Sequence, residues 1–243
     1  MKILGDYHTH TTYTHGASTI EENVKQAENL GLKEIAITEH SYKAHYCIKK
    51  GDLDRMREDI DSIKDKYNVK ILLGIEANLT SLDGDIDISD EELKNLDVVI
   101  LGFHKFTKVG CKQFFKFVLP NLLRVKPSKK QIERNTQAYI NAMDKHRVSF
   151  IAHPGYAGCV VDYVRLAEEC AKRGVYIELN GKRINFDEEQ LMAMTKTGVK
   201  FIISSDAHKW ENIAKNHKAF NMIEICKIPH EQIVNLDKIP KFK

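Results

Sequence analysis

Seven times along this chain a short run rich in β-branched residues ends in a polar tip and gives way to an amphipathic stretch. That alternation limits the available folds more than any other feature. The runs span residues 2–7, 34–38, 70–75, 97–102, 148–152, 175–179 and 199–204. Residues able to cap free helical N–H groups stand between them: Ser18 with Glu21, Ser89 with Glu92, Ser128 with Gln131, and Asp187 with Gln190. Gly31, Gly174 and Gly198 suit the left-handed residue that ends a helix ahead of the next strand. Strict alternation of strand and helix predicts an α/β fold with a parallel sheet, and 243 residues suffice for one undivided barrel-like domain.

Strands of a parallel barrel all point the same way, so the residues at their C-terminal ends meet on one rim. Here His8 and His10 follow the first run, His40 the second, Glu76 the third, His104 the fourth, His153 the fifth, and Asp206 with His208 the seventh. A lone histidine at a strand end is usually an ordinary hydrogen-bonded polar residue. Six of seven tips carrying an imidazole or carboxylate call for another explanation, and metal binding supplies one. His146, His217 and His230 fall in helical or surface contexts and are set aside, and His45 is left open.

Imidazole and carboxylate without thiolate suit Zn, Mn or Fe. In His8-Thr9-His10 the two imidazoles lie on the same side of an extended chain, and Ser205-Asp206-Ala207-His208 repeats that spacing with a carboxylate and an imidazole. Alone an H-x-H is a weak signal. Followed in order by G-I-E at 74–76, G-F-H at 102–104, A-H-P-G at 152–155 and S-D-A-H, it is a strong one.

The five cysteines are odd in number, widely spaced and without a C-x-x-C pair, which fits a reducing cytoplasm. The N-terminal stretch has no signal-peptide core, and no apolar run approaches the roughly 20 residues of a membrane span, so no membrane partner is expected. Net charge is only +3, yet residues 105–134 hold nine Lys/Arg against the single acid Glu133. A basic patch on an otherwise acidic chain points to an anionic ligand. About 43 residues separate His104 from the next strand, leaving 105–127 as a basic loop insertion in a single domain spanning 1–243. Its segment FFKFVLPNLL at 114–123 is expected to pack on the barrel rim or on a partner subunit, so a homo-oligomer is compatible. Its cations, Lys105, Lys108, Lys112, Lys116, Arg124 and Lys126, with Lys129 and Lys130 beyond, are expected to form a lid that steers an anionic substrate.

In these motifs, together with DYHTHTTYTHGAST at 6–19, AITEH at 36–40 and GIEANLTSLDGDID at 74–87, the chain resembles the PHP (polymerase and histidinol phosphatase) superfamily and, within it, the YcdX-like phosphatases. The resemblance covers essentially the whole chain. It implies a distorted (β/α)7 barrel with a metal site at the C-terminal ends of the strands. It also implies a trinuclear centre in which His8, His10, Glu76 and Asp206 hold one cation. Glu76 shares a second with His104 and His153, while His15, His40 and His208 hold a third. Two or three divalent cations are expected, Zn first, with Mn or Fe as alternatives. Glu39 departs from the family motif, which more often has Asp there.

The chemistry implied is hydrolysis of phosphomonoesters by a metal-bridging hydroxide, with Glu76 and Asp206 as the catalytic carboxylates. Arg183, just beyond the sixth run, is the candidate phosphate contact, since guanidinium pairs bidentately with phosphate oxygens. A small phosphorylated substrate is favoured. Histidinol-phosphate phosphatase is the close alternative, a phosphodiesterase or exonuclease acting on nucleic-acid ends comes third, and a non-catalytic metal-binding module is the reading from another class.

Overall fold

The computed structural model describes residues 1–123 and 126–242. Among them are seven strands: β1 (Gly5–Asp6), β2 (Glu34–His40), β3 (Lys70–Asn78), β4 (Val98–Gly102), β5 (Phe150–Ile151), β6 (Tyr176–Asn180) and β7 (Phe201–Ser204). Each pairs in parallel with the next in chain order. Intervening helices, among them Ile20–Asn29, Asp52–Ile63 and Tyr163–Arg173, bury one apolar face each in the larger hydrophobic cluster. A smaller cluster of Ala36, Leu72, Val98, Ile100, Phe150 and Ile202 fills the other face of the sheet. The result is a distorted, nearly closed (β/α)7 barrel, as the sequence predicts.

Among the described residues no strand ladder joins β1 to β7, and three other devices hold that seam. At the C-terminal mouth Thr9 and Ala207 form an isolated parallel bridge. Midway, Asp6 accepts the N–H groups of Ser205 and Ala214 at 3.0 and 2.9 Å. At the opposite end Asn235 accepts from Ile203 N–H and donates to the carbonyls of Gly5 and Ile203.

Several local expectations change. The first run, expected over 2–7, contributes only Gly5–Asp6 to the sheet, because Ile3 bridges antiparallel to Leu236 and Leu4 N–H donates to Asn235. The fifth, expected over 148–152, is cut to Phe150–Ile151, and His153 turns the chain with a left-handed backbone (φ 28°). The first helix is capped by Thr19 with Glu22 rather than Ser18 with Glu21, since buried Ser18 accepts Trp210 N–H instead. The caps at Ser89, Ser128 and Asp187 form as expected.

The 105–127 segment is partly helical: Cys111–Gln113, a π-helical turn Phe114–Val118, then Leu119–Leu122. Phe117 and Val118 are buried, with Phe117 edge-on to Phe103 at 5.2 Å, while Phe115 stays exposed. Asn121 and Asn135 exchange reciprocal amide hydrogen bonds, and Asn135 also donates to Val160. The segment is thereby fixed to helix Lys129–Lys145 and to the turn after β5. Arg124 lies outside the described residues.

Candidate metal centre

Side chains alternate along a strand, so residues two apart share a face. That rule places His40 at the end of β2, Glu76 and Asn78 in β3, Gly102 and His104 at the tip of β4, and Glu178 and Asn180 in β6 along the barrel's inner wall. His153 reaches the same space by its left-handed backbone, and Asp206 is left-handed too (φ 52°). Strained backbone at two convergent polar residues is a recurring mark of functional sites.

Glu76 is the hub. It is wholly buried, and five imidazoles surround its carboxylate. His40 Nδ1 lies 2.7 Å from Oε2, His8 Nε2 3.4 Å and His10 Nε2 3.6 Å, while His153 Nε2 and His104 Nε2 lie 3.0 and 3.2 Å from Oε1. Asp206 Oδ1 stands 3.6 Å from His10 Nε2 and 3.3 Å from His208 Nδ1. His15, carried by the loop after β1, stacks on His40 at 5.0 Å and meets His208 edge-on at 4.2 Å. All nine strand-tip and loop residues singled out in the sequence therefore come together. A Cβ at Gly102 would sit 3.2 Å from Glu76 Oε1, so that glycine leaves the carboxylate its room.

The donor set fits divalent cations. His8 Nε2, His10 Nε2, His40 Nδ1 and Glu76 Oε2 are buried without a hydrogen-bond partner, an arrangement that is unfavourable unless another group satisfies them. Three sets bring ligand atoms within 4.8 Å of one another: His8, His10 and Glu76; His40, Glu76 and His104; and His10, His40 and His208. Among the described residues His15, His153 and Asp206 stand in none of the three, and His40 is grouped with Glu76 and His104 as well as with His208.

Burial by itself would raise the Glu76 carboxyl, but the surrounding His104, His40 and His8 hold it well below the usual carboxylate range. Burial and the neighbouring His40 and His208 imidazoles push His10 well down. Burial likewise lowers His15 and His208, each to about 4. Neutral imidazoles are the form a cation needs.

Several residues outside the ligand set hold it in place, and of these sequence reasoning singled out only Glu39. Glu178 Oε1 lies 2.7 Å from His8 Nδ1, which fixes the tautomer that leaves Nε2 free, and its Oε2 accepts His153 N–H at 2.8 Å. Asn78 Oδ1 does the same for His104 Nδ1 at 2.5 Å. Glu39, pushed up to about 7 by burial, accepts Thr11 N–H and the hydroxyls of Thr11 and Thr14, holding the loop that carries His15. Lys182 Nζ donates to His208 Nδ1 at 2.7 Å and lies 3.5 Å from Asp206 Oδ1. The available signal was parity: Asn78 lies two residues beyond Glu76, and Glu178 falls on the inner face of the one strand without a ligand at its tip.

Above the imidazoles opens a cavity of about 600 Å³. Arg183 lines it with its guanidinium 4.5 Å from the Tyr156 ring centre. Of the basic stretch after His104, Lys105 lines the cavity, whereas Lys108, Lys112, Lys116, Lys126, Lys129 and Lys130 are not among the lining residues.

The PHP domain model matches residues 6–236. A probable phosphatase of Caldanaerobacter subterraneus subsp. tengcongensis is 30% identical over all of this chain and 91% of its own length. One from Shewanella piezotolerans is 31% identical over 97% of this chain and 90% of its own. Among solved structures, the histidinol phosphate phosphatase of Lactococcus lactis, complexed with zinc, L-histidinol and phosphate, superposes with a TM-score of 0.61 at 16% identity, covering 93% of this chain and 94% of that one. That likeness supports the fold.

Proposed function

The chain belongs to the PHP domain family, and on that premise we propose that it is a metal-dependent phosphoesterase hydrolysing small phosphomonoesters at the mouth of its barrel. The observation that carries this reading is the five-imidazole shell around buried Glu76. With the neighbouring residues, His8, His10, Glu76 and Asp206 would hold one cation, Glu76, His104 and His153 a second, and His15, His40 and His208 a third. Zinc is the first choice for a set of nitrogen and carboxylate donors, with manganese or iron next. The chain acts as one domain over 1–243 with the 105–127 insertion, and five free thiols support a reducing cytoplasmic setting. Among the described residues no helix is long and apolar enough to cross a membrane.

Divalent cations bound there supply a lowered pKa for attacking water and positive charge opposite the phosphoryl oxygens. The protein's own groups do the rest. Arg183, steadied by the Tyr156 ring, and Lys105 hold the phosphoryl group from the cavity wall. Asp206 would take the proton of the attacking water, and Lys182 Nζ lies 3.5 Å from its Oδ1. Glu178 and Asn78 keep His8 and His104 in their binding tautomers.

Metal analysis paired with a phosphate-release screen tests the reading. The screen includes histidinol phosphate, the close alternative, and single-stranded DNA ends. More than one equivalent of transition metal, with activity lost on chelation and restored by Zn or Mn, is expected. Active enzyme with less than one equivalent, or inertness toward every ester, overturns it.

A further inference from the structure

The cavity has a floor and a rim of different chemistry. Its lining carboxylates, Glu76 and Asp206, belong to the floor, whereas the rim presents Tyr46, Phe106 and Tyr156 with Lys105 and Arg183. Tyr46 is 55% exposed and Phe106 69%. Scattered exposed apolar side chains are ordinary, but these two line one cavity and flank a third ring: His45 lies 4.6 Å from Tyr46 and 6.3 Å from Phe106, edge-on to both.

Their loops are fixed. Lys108 N–H donates to the Lys43 carbonyl at 2.7 Å, tying the loop after β4 to the loop after β2. Lys43 N–H in turn donates to Asp87 at 2.8 Å, and Thr107 Oγ1 donates to the His104 carbonyl at 2.9 Å. Tyr46 also stacks on His15, with centroids 5.0 Å apart and planes within 18°. An aromatic surface held still beside a phosphoryl site keeps its ring faces wet until a flat group covers them. A cavity of about 600 Å³ leaves space for such a group beyond the phosphate.

We infer that Tyr46, His45 and Phe106 form a stacking platform for the leaving group, so that the preferred substrates are phosphomonoesters carrying an aromatic ring close to the ester oxygen. The inference deepens the phosphatase reading and rests on it. Benzyl phosphate and ethyl phosphate have leaving alcohols of similar basicity, so the ratio of their kcat/KM values reports contacts to the ring rather than chemistry. The metal-loaded enzyme should prefer benzyl phosphate by about tenfold, mostly in KM, a factor in the range of ring stacking. Phe106→Ala and Tyr46→Ala should each move the ratio toward one. Because Tyr46 covers His15, the metal content of both variants is measured, and Phe106→Ala, which touches no proposed ligand, decides.

Calorimetric titration with benzylphosphonate and methylphosphonate, which are not hydrolysed, gives a second readout, with the same preference expected in Kd. Equal handling of the two esters by the unaltered enzyme, or an unchanged ratio in Phe106→Ala, overturns the platform while leaving the phosphatase intact. If neither ester is hydrolysed and neither phosphonate binds, the phosphatase reading itself fails and the platform with it.

Discussion

At the scale of single residues, Glu76 should be the least replaceable side chain, because its two oxygens face five imidazoles at once. Glu76→Gln is expected to lose bound metal and activity together, measured by elemental analysis and phosphate release. His146, paired with Asp90 at 2.7 Å away from the cavity, should be replaceable with little effect on either. Glu178→Gln sits between these extremes. Glutamine has one acceptor oxygen where Glu178 uses two, so its NH2 group must face either the His8 ring N–H or the His153 backbone N–H. This should weaken metal retention about 10–100-fold in a chelator competition with the fold intact, and an unchanged affinity would remove Glu178 from the site.

Protons give a sharper residue-scale test. His15 and His208 are held near 4 in the folded protein, so between about 6.5 and 4 the unfolded chain binds protons there that the folded one does not. Each therefore withdraws stability from metal-free protein as pH falls through that window and is neutral in effect above it. Glu39, raised to about 7, works in the opposite sense, so the test is a difference. The urea midpoint of metal-free His15→Asn should rise relative to the unaltered protein between pH 7 and 4.5, and a pH-independent difference would contradict the assignment. Eight of the nine convergent residues were legible in the sequence because strand tips in a parallel barrel share a rim, and His15, on the loop after β1, only through the family resemblance. Glu178, Asn78 and Lys182 were not, since a polar residue shows its role only once strand register says which wall it faces.

Among the elements, the two least legible strands were those whose backbone is recruited for other work. β1 is cut short by the tail at Leu236 and β5 by the turn at His153. The insertion read as a basic lid, and its charge pattern gave no sign that Asn121 and Asn135 would hold a π-helical turn rigidly against helix Lys129–Lys145. A Cβ on Gly158 would fall 2.2 Å from the Asn121 carbonyl, so the segment also presses on the turn that carries Tyr156. Asn135→Leu removes both bonds to the Asn121 amide, which keeps only Phe117 O and Gln131, and leaves the Val160 carbonyl without its partner, and should cost about 2 kcal/mol in urea unfolding. It should also raise KM, because Tyr156 and the Arg183 stacked on it lose their support. A loss of stability with unaltered KM would reduce the insertion to packing.

Over the whole molecule, what the sequence could not reveal was how the barrel closes. Asn235 stands in for a missing ladder by satisfying backbone groups of both Gly5 and Ile203, and nothing about a lone asparagine near residue 235 announces that task. Asn235→Ala leaves three buried backbone groups unpaired and should lower stability by about 3 kcal/mol, read from the denaturation midpoint. It should loosen metal binding as well, since His8 and Asp206 lie on opposite sides of the seam.

That seam also sets a clock for biogenesis. In a chain emerging from the ribosome, Asp206, His208 and the Asn235 clasp arrive about two hundred residues after His8 and His10. Until then the early imidazoles can capture a passing cation only weakly and without selection among metals. Firm loading becomes possible only once the chain has reached Asn235, so a filled centre would report that both edges of the seam have been made and folded together.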